Sequence, residues 1–363
     1  MSGEGFVLRG GLVCDPEAGS LTPGDVVVRD GRIAAPATAG QTDRIVDVSG
    51  LVVAPGLVDL HTHVFVGQDL GVDPDVAGPP SGVTTMVDTG SAGAHLFGAF
   101  VRGTVEKART RIAAFINISS VGTTSIMLSG ELKTLAYVDP ASCRAAIDAH
   151  RDRIVGVKVR ASADVAGDNG VVALDRAREV ADAEGLPLMV HLGPPPASLA
   201  DILARLGPGD ILTHCFTGLS GTPLTEHGRV LDLVAEARQR GVLFDVGHGM
   251  CGFDVEQARA AVAAGFLPDT ISSDLHTYSR DIVGGLPDVM AKFLALGVGL
   301  PDVVRRVTIV PARVAGLDGA GVGSLRPGAP ADLAVLRVSD GPSPTVSAAL
   351  TVRDGEIVHT ASN

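Results

Sequence analysis

The chain has 363 residues, no tryptophan and only 3% aromatic side chains, and its 29 basic against 41 acidic residues give a formal charge of −12. With no basic block to offset that balance, nucleic acid and anionic membrane surfaces are excluded as expected partners. Four cysteines, Cys14, Cys143, Cys215 and Cys251, occur without a C-x-x-C pair, so neither a zinc knuckle nor a disulfide framework is expected.

The length accommodates one barrel of about 250 residues and a smaller module. The Met1–Gly5 start lacks the basic and apolar regions of a signal peptide, and no apolar run approaches membrane-spanning length, so a soluble cytoplasmic protein is expected. Residues 5–53 read as short valine-rich strands: Phe6–Leu8, Asp25–Arg29, Arg32–Ala34 and Arg44–Val48. Asp30-Gly31 between two of them is a two-residue hairpin turn, since glycine tolerates the positive φ such turns need. The tail repeats the device, because Leu350–Val358 is a near copy of Val26–Ile33 with its own Asp354-Gly355, and Ala331–Leu336 supplies another strand. The two ends therefore read as halves of one antiparallel β module, with residues 1–55 and 321–363 forming it and residues 56–320 forming a separate domain.

In that central region strands alternate with helices, the pattern of βα units around a parallel sheet. Eight strands are expected, at 57–64, Thr84–Asp88, Arg111–Ile118, Ile154–Arg160, Pro187–Leu192, Asp210–Cys215, Gly241–Val246 and Thr270–Asp274. Eight units point to a closed α/β barrel of the (β/α)8 type. Helices are expected over 174–183, closed by Gly185, and over 230–238, 287–296 and 301–316. The Gly67–Gly82, Ser119–Tyr137 and Gly247–Phe253 loops are long enough to cover the barrel mouth.

The candidate chemistry lies at the strand ends. His61 and His63, two apart on a strand, point to one face. Lys158, His191, His214 and Asp274 each lie at or near the end of a later strand-like run, where active-site residues of a parallel barrel sit. The barrel can bring His61, His63 and Asp274 around one ion and His191 and His214 around a second, with donor atoms suited to Zn²⁺ or similar first-row ions. Lys158, taken singly, reads as a salt-bridged or snorkelling lysine. Its place between Val157 and Val159 favours instead a buried amine that captures CO₂ and bridges two ions as a carbamate. A water between the ions would then ionise near neutral pH, with Asp274 as general acid and base.

Arg160, two beyond Lys158, can pair with a substrate carboxylate or with a structural acid, and His248 and His276 can reach the mouth. His95, His150, His227 and His359 are expected in surface or supporting roles, and Cys215 as a packed thiol.

The series Asp59-Leu60-His61-Thr62-His63, Gly156-Val157-Lys158, Val190-His191, Thr213-His214 and Ser273-Asp274 resembles the amidohydrolase superfamily in its two-metal form, in the branch of deacetylases similar to dihydroorotases and D-aminoacylases. That resemblance implies a (β/α)8 barrel flanked by a β-sandwich from both termini. It also implies two divalent ions, zinc for preference, bridged by carboxylated Lys158, and hydrolysis of N-acyl or O-acyl small carboxylic acids. Dihydroorotases of this kind carry arginine two residues after the second histidine, where this chain has Phe65, so dihydroorotate is a poor candidate. A cyclic amidohydrolase or lactonase and a non-catalytic scaffold are the alternatives, and a homo-oligomer stays open.

Overall fold

The computed structural model describes residues 5–38, 40, 43–219, 223 and 228–362, so His227 and the first four residues lie outside it. Two sheets organise these residues. The first contains eight strands: β1 (Phe6–Asp15), β2 (Ser20–Arg29), β3 (Arg32–Ala34), β4 (Arg44–Asp47), β5 (Val52–Pro55) and, from the tail, β13 (Leu333–Ser339), β14 (Thr345–Arg353) and β15 (Glu356–Thr360). The order β15-β14-β13-β5-β1-β2-β3, with β4 beside β1, places the antiparallel β5–β13 pair at the junction of the two chain ends. Thus both termini do join in one module, but as a single continuous sheet that is mixed rather than antiparallel throughout, since β1 runs parallel to β4 and β5.

Its internal near-repeat has a structural counterpart. Asp30 and Asp354 have φ of 50° and 48°, and the glycines that follow have φ of 74° and 82°, the left-handed values a two-residue hairpin demands. The two turns abut, because a Cβ on Gly355 would come within 2.6 Å of Gly31 Cα. Phe6, Leu8, Val28, Val53, Leu333, Val335 and Val352 form the module's own apolar core.

The second sheet is parallel and has seven strands: β6 (Leu57–Thr62), β7 (Val83–Gly93), β8 (Arg111–Asn117), β9 (Ile154–Arg160), β10 (Leu188–His191), β11 (Ile211–Thr213) and β12 (Leu243–Asp245). It curls so that one further segment can close it. The expected eighth strand, Thr270–Asp274, does not form a regular ladder. Thr270 pairs with Asp245 and Leu275 with Thr62 only as isolated bridges.

Where that segment's backbone amides go explains the irregularity. Ile271 N–H donates to Arg306 O at 3.0 Å, Ser273 N–H to the Asp59 carboxylate at 3.0 Å, and Asp274 N–H to His61 O at 2.7 Å. Asp274 itself sits at φ 49°, which no continuing strand can adopt. The segment is nonetheless a stave of the barrel. On its other flank, Val246, His248 and Gly249 donate their amides to Thr270, Ser272 and Ser273.

A helix spans Gly170–Glu184 and stops at Gly185 with φ 62°, as expected from its glycine. The expected helix over 301–316 is two helices, Leu300–Arg306 and Ile309–Val314. Proline at 311 has no N–H for the carbonyl of Val307, and a continuous helix would press its ring against that carbonyl. Val307 O instead accepts from Val58 N–H at 2.8 Å, tying the break to the first barrel strand.

Two apolar layers support the barrel. Val157, Val159, Leu188, Val190, Leu212 and Phe244 belong to the cluster that packs against the surrounding helices. Leu60, Val87, Ala113, Phe115, Met189 and Ile211 form a second cluster inside, one layer below the strand ends. Gly156 makes room for this filling, since a Cβ there would lie 2.1 Å from the Phe115 ring and 2.8 Å from Pro187 O. Gly156→Ala is therefore expected to lower the unfolding free energy by about 1–3 kcal/mol, the usual range for overpacking. Urea denaturation of the metal-free protein checks this, and an unchanged midpoint would mean that Phe115 can move without penalty.

Candidate metal centre

His61 and His63 leave β6 together, and both turn an imidazole Nε2 toward Asp274 Oδ1, at 3.4 and 3.5 Å. The ligand atoms of these three residues lie within 4.8 Å of one another. The rings of His191 and His214, from the next staves, are 4.4 Å apart, and His214 is 5.1 Å from His61. Lys158 lies between the groups, fully buried, with Nζ 3.3 Å from His61 Nε2 and 3.5 Å from Met189 Sδ. Its stem passes over Gly90, where a Cβ would stand 3.0 Å from Lys158 Cβ. All six candidate ligands thus share one rim.

Built partners orient three of the imidazoles. His61 Nδ1 is 2.9 Å from the Thr213 hydroxyl, His63 Nδ1 is 2.8 Å from the Ser91 hydroxyl, and His214 Nδ1 is 2.6 Å from Gly247 O. Each contact occupies Nδ1 and leaves Nε2 for the cavity, the arrangement by which outer partners fix a metal-binding tautomer. Backbone strain marks the same place. Among the described non-glycine residues only Asp30, His214, Asp274 and Asp354 have positive φ; the first and last are in hairpin turns, the other two at this rim.

Burial governs the charges. It holds His61, His63 and His191 well below the ordinary imidazole range, aided for His61 by the Lys158 charge, and lowers His214 to about 3. The imidazoles are therefore neutral, with lone pairs available. Burial likewise brings Lys158 down to about 7, against the pull of Asp274 and Asp245, and raises Asp274 to about 7, against Lys158 and Arg160. Among the described residues Lys158 makes no ion pair. An amine enclosed by imidazoles is poorly suited to remain an ammonium. Four neutral nitrogens, one carboxylate and an uncompensated amine are a donor set that fits divalent ions.

The cavity above this rim measures about 300 Å³. All three glycine- and proline-rich loops contribute to it, through Leu70, through Thr123 and Ile126, and through Met250, Cys251 and Gly252. Arg160 and His276 line it as well. Arg160 is paired with Glu131 at 3.3 Å, the structural acid expected for it, while its side chain also lines the cavity. His276 accepts from Tyr278 N–H through Nδ1, and its ring centroid is 6.1 Å from that of His63.

His248 is placed elsewhere. Its ring stacks on Phe253 at 4.8 Å and meets Lys292 Nζ at 2.5 Å, away from the cavity lining. The neighbouring glycines explain this, because φ of 49° at both Gly247 and Gly249 turns the chain sharply around it. Phe65, at the position where dihydroorotases carry arginine, packs on Phe100 at 5.2 Å. Cys215 is buried, its thiol pushed well above the normal range by desolvation, which agrees with a packed role. A larger groove, about 1070 Å³, opens at the opposite end of the barrel and contains none of the candidate ligands.

Sequence reasoning passed over three buried carboxylates. Asp59 accepts from Ser273 N–H at 3.0 Å and is raised to about 7 by burial. Asp88 accepts from Val64 and Ser91 N–H at 2.9 and 2.8 Å and is raised to about 6, again by burial. Asp245 accepts three hydroxyls, from Thr213, Thr270 and Ser272, at 2.6–2.7 Å. A signal existed, since each lies within or at the end of an expected strand, where an acid among apolar residues needs a partner.

Residues 52–360 match the amidohydrolase family. A deacetylase of Agrobacterium fabrum is 39% identical over 295 residues, covering 80% of this chain and 72% of that protein. A deacetylase of Enterococcus faecalis is 33% identical over 324 residues, covering 87% and 86%. Among solved structures, a dihydroorotase superposes with a TM-score of 0.89 at 31% identity over 99% of this chain and 98% of its own, and an adenine deaminase with 0.89 at 29% over 97% and 98%. The curled parallel sheet, the rim of imidazoles and these likenesses agree: the chain belongs to the amidohydrolase family.

Proposed function

We propose that this protein is a metal-dependent deacetylase that hydrolyses the amide or ester bond of an acylated small carboxylic acid. The observation that carries the reading is the convergence of His61, His63 and Asp274 beside His191, His214 and a buried Lys158 at the floor of one cavity. Deacetylases alike over most of the chain support the acyl-transfer chemistry. In this reading Lys158 carries a carbamate, for which its lowered proton affinity prepares it, and the two ions are zinc. Bound ions supply Lewis acidity toward the substrate carbonyl and make a water molecule acidic near neutral pH.

The protein's own groups do the rest. Asp274 Oδ1, 3.4–3.5 Å from both histidines of the His-x-His pair, takes a proton from the attacking water. As the water oxygen bonds to the acyl carbon and the C–N or C–O bond breaks, Asp274 returns that proton to the departing nitrogen or oxygen. Burial raises its proton affinity, which favours taking up the proton before it is passed on. Arg160 faces the cavity and pairs with the substrate carboxylate. Leu70, Ile126, Leu192 and Met250 exclude bulk water and accept an apolar substituent.

A ring substrate is the second reading, favoured by the likeness to the solved dihydroorotase. The burial of Phe65 against Phe100, without an arginine there, weighs against dihydroorotate itself.

Three outcomes are expected. Chelation abolishes turnover of N-acetyl amino acids and acetylated hydroxy acids, and added Zn²⁺ restores it; turnover confined to hydantoins, dihydroorotate or lactones would replace the deacetylase reading with the cyclic one. Asp274→Asn lowers kcat about 10²–10⁴-fold; kcat near wild type would remove Asp274 from proton transfer. Arg160→Met raises KM for acidic substrates by about 10–100-fold, the loss of one charged hydrogen bond worth about 1.5–3 kcal/mol. Equal effects on a neutral amide analogue would assign Arg160 to structure alone.

A further inference from the structure

Asp245 ends β12 with its carboxylate fully buried. Three hydroxyl groups reach it from two neighbours in the barrel wall. Thr213 of β11 contacts Oδ2 at 2.7 Å, while Thr270 and Ser272 of the closing stave contact Oδ1 at 2.6 and 2.7 Å. A carboxylate accepts only, so each hydroxyl spends its single proton on Asp245. The Thr213 oxygen is then left as an acceptor, and the atom facing it, at 2.9 Å, is His61 Nδ1. The proton between them belongs to His61. Its Nε2 consequently carries the lone pair, and Nε2 is the atom that looks toward Asp274 and Lys158.

The carboxylate also connects this choice to the far side of the site. Ser272 Oγ, having donated to Asp245, accepts Gly247 N–H at 2.9 Å, and Gly247 O receives His214 Nδ1 at 2.6 Å. Two residues beyond Ser272 lies Asp274, held in its left-handed turn.

We propose that Asp245, acting through Thr213, is a positioning residue that fixes the His61 proton on Nδ1 and ties that tautomer to the stave carrying Asp274. The inference rests on the reading of His61 as a metal ligand only in its metal-affinity arm. The tautomer is measurable on the metal-free protein.

The test uses two variants of nearly equal size. Thr213→Val removes the oxygen and leaves His61 Nδ1 without its hydrogen-bonded acceptor, the Asp245 carboxylate standing 3.5 Å away, whereas Thr213→Ser keeps the hydroxyl. Long-range ¹H–¹⁵N NMR of metal-free protein is expected to show the Nδ1–H tautomer of His61 in wild type and Thr213→Ser, and a gain of Nε2–H in Thr213→Val. Competition with a chelator is expected to show Zn²⁺ affinity about 10–100-fold weaker in Thr213→Val, the usual effect of losing such an outer partner, and within about twofold of wild type in Thr213→Ser.

A purely packing role for Thr213 would leave the tautomer unmoved. An Nε2–H tautomer in wild type, measured without any variant, overturns the proposal, as does a Thr213→Val protein with wild-type tautomer and affinity. Failure of the hydrolase reading would appear separately, as absent turnover in a wild type whose His61 still carries its proton on Nδ1.

Discussion

The site depends on how the barrel closes. Seven strands pair in parallel with local shifts of register, and the eighth stave is held in part by two buried carboxylates, Asp59 from the first strand and Asp245 from the seventh, which take hydrogen bonds from Ser273 and from Thr270 and Ser272. Side-chain acceptors thus replace part of a backbone ladder. A regular strand would direct residue 274 along the pleat, whereas the left-handed turn at Asp274 aims its carboxylate at His61 and His63. The loss of regular pairing and the placing of Asp274 have the same cause.

Enclosure sets the electrostatics. Four imidazoles and an amine, removed from water and close to one another, each have a lowered proton affinity. The same burial that keeps the imidazoles neutral raises the carboxylates Asp59, Asp88 and Asp274 toward neutrality. Such a cluster is costly without a counter-charge at its centre, and the geometry concentrates lone pairs where cations would sit. Above it, apolar side chains from three loops line a cavity with Arg160 in its wall. No described helix is long and apolar enough to cross a membrane.

Much of this was legible in the residues themselves. Period-two spacing put His61 and His63 on one face, the βα alternation placed Lys158, His191 and His214 at successive strand ends, and the paired Asp-Gly turns marked the terminal module. The loops assigned to the mouth supply its lining. The Thr270–Asp274 stave, the interrupted helix at 301–316 and the position of His248 came out differently. Each depends on a partner far away in sequence: Asp59 and Asp245 for the stave, Val58 for the Val307 carbonyl, Phe253 and Lys292 for His248.

By itself the sequence determined the architecture, the six side chains of the candidate centre and their order around the rim, because hydrophobic period and chain order are local properties that survive translation into strands and helices. Only the tertiary structure decided which acids are buried, which nitrogen of His61, His63 and His214 is engaged, and that Arg160 rather than His248 faces the cavity. Those facts rest on contacts between residues tens or hundreds of positions apart, such as Asp59 with Ser273 and His61 with Thr213. No spacing along the chain encodes a distance across the barrel.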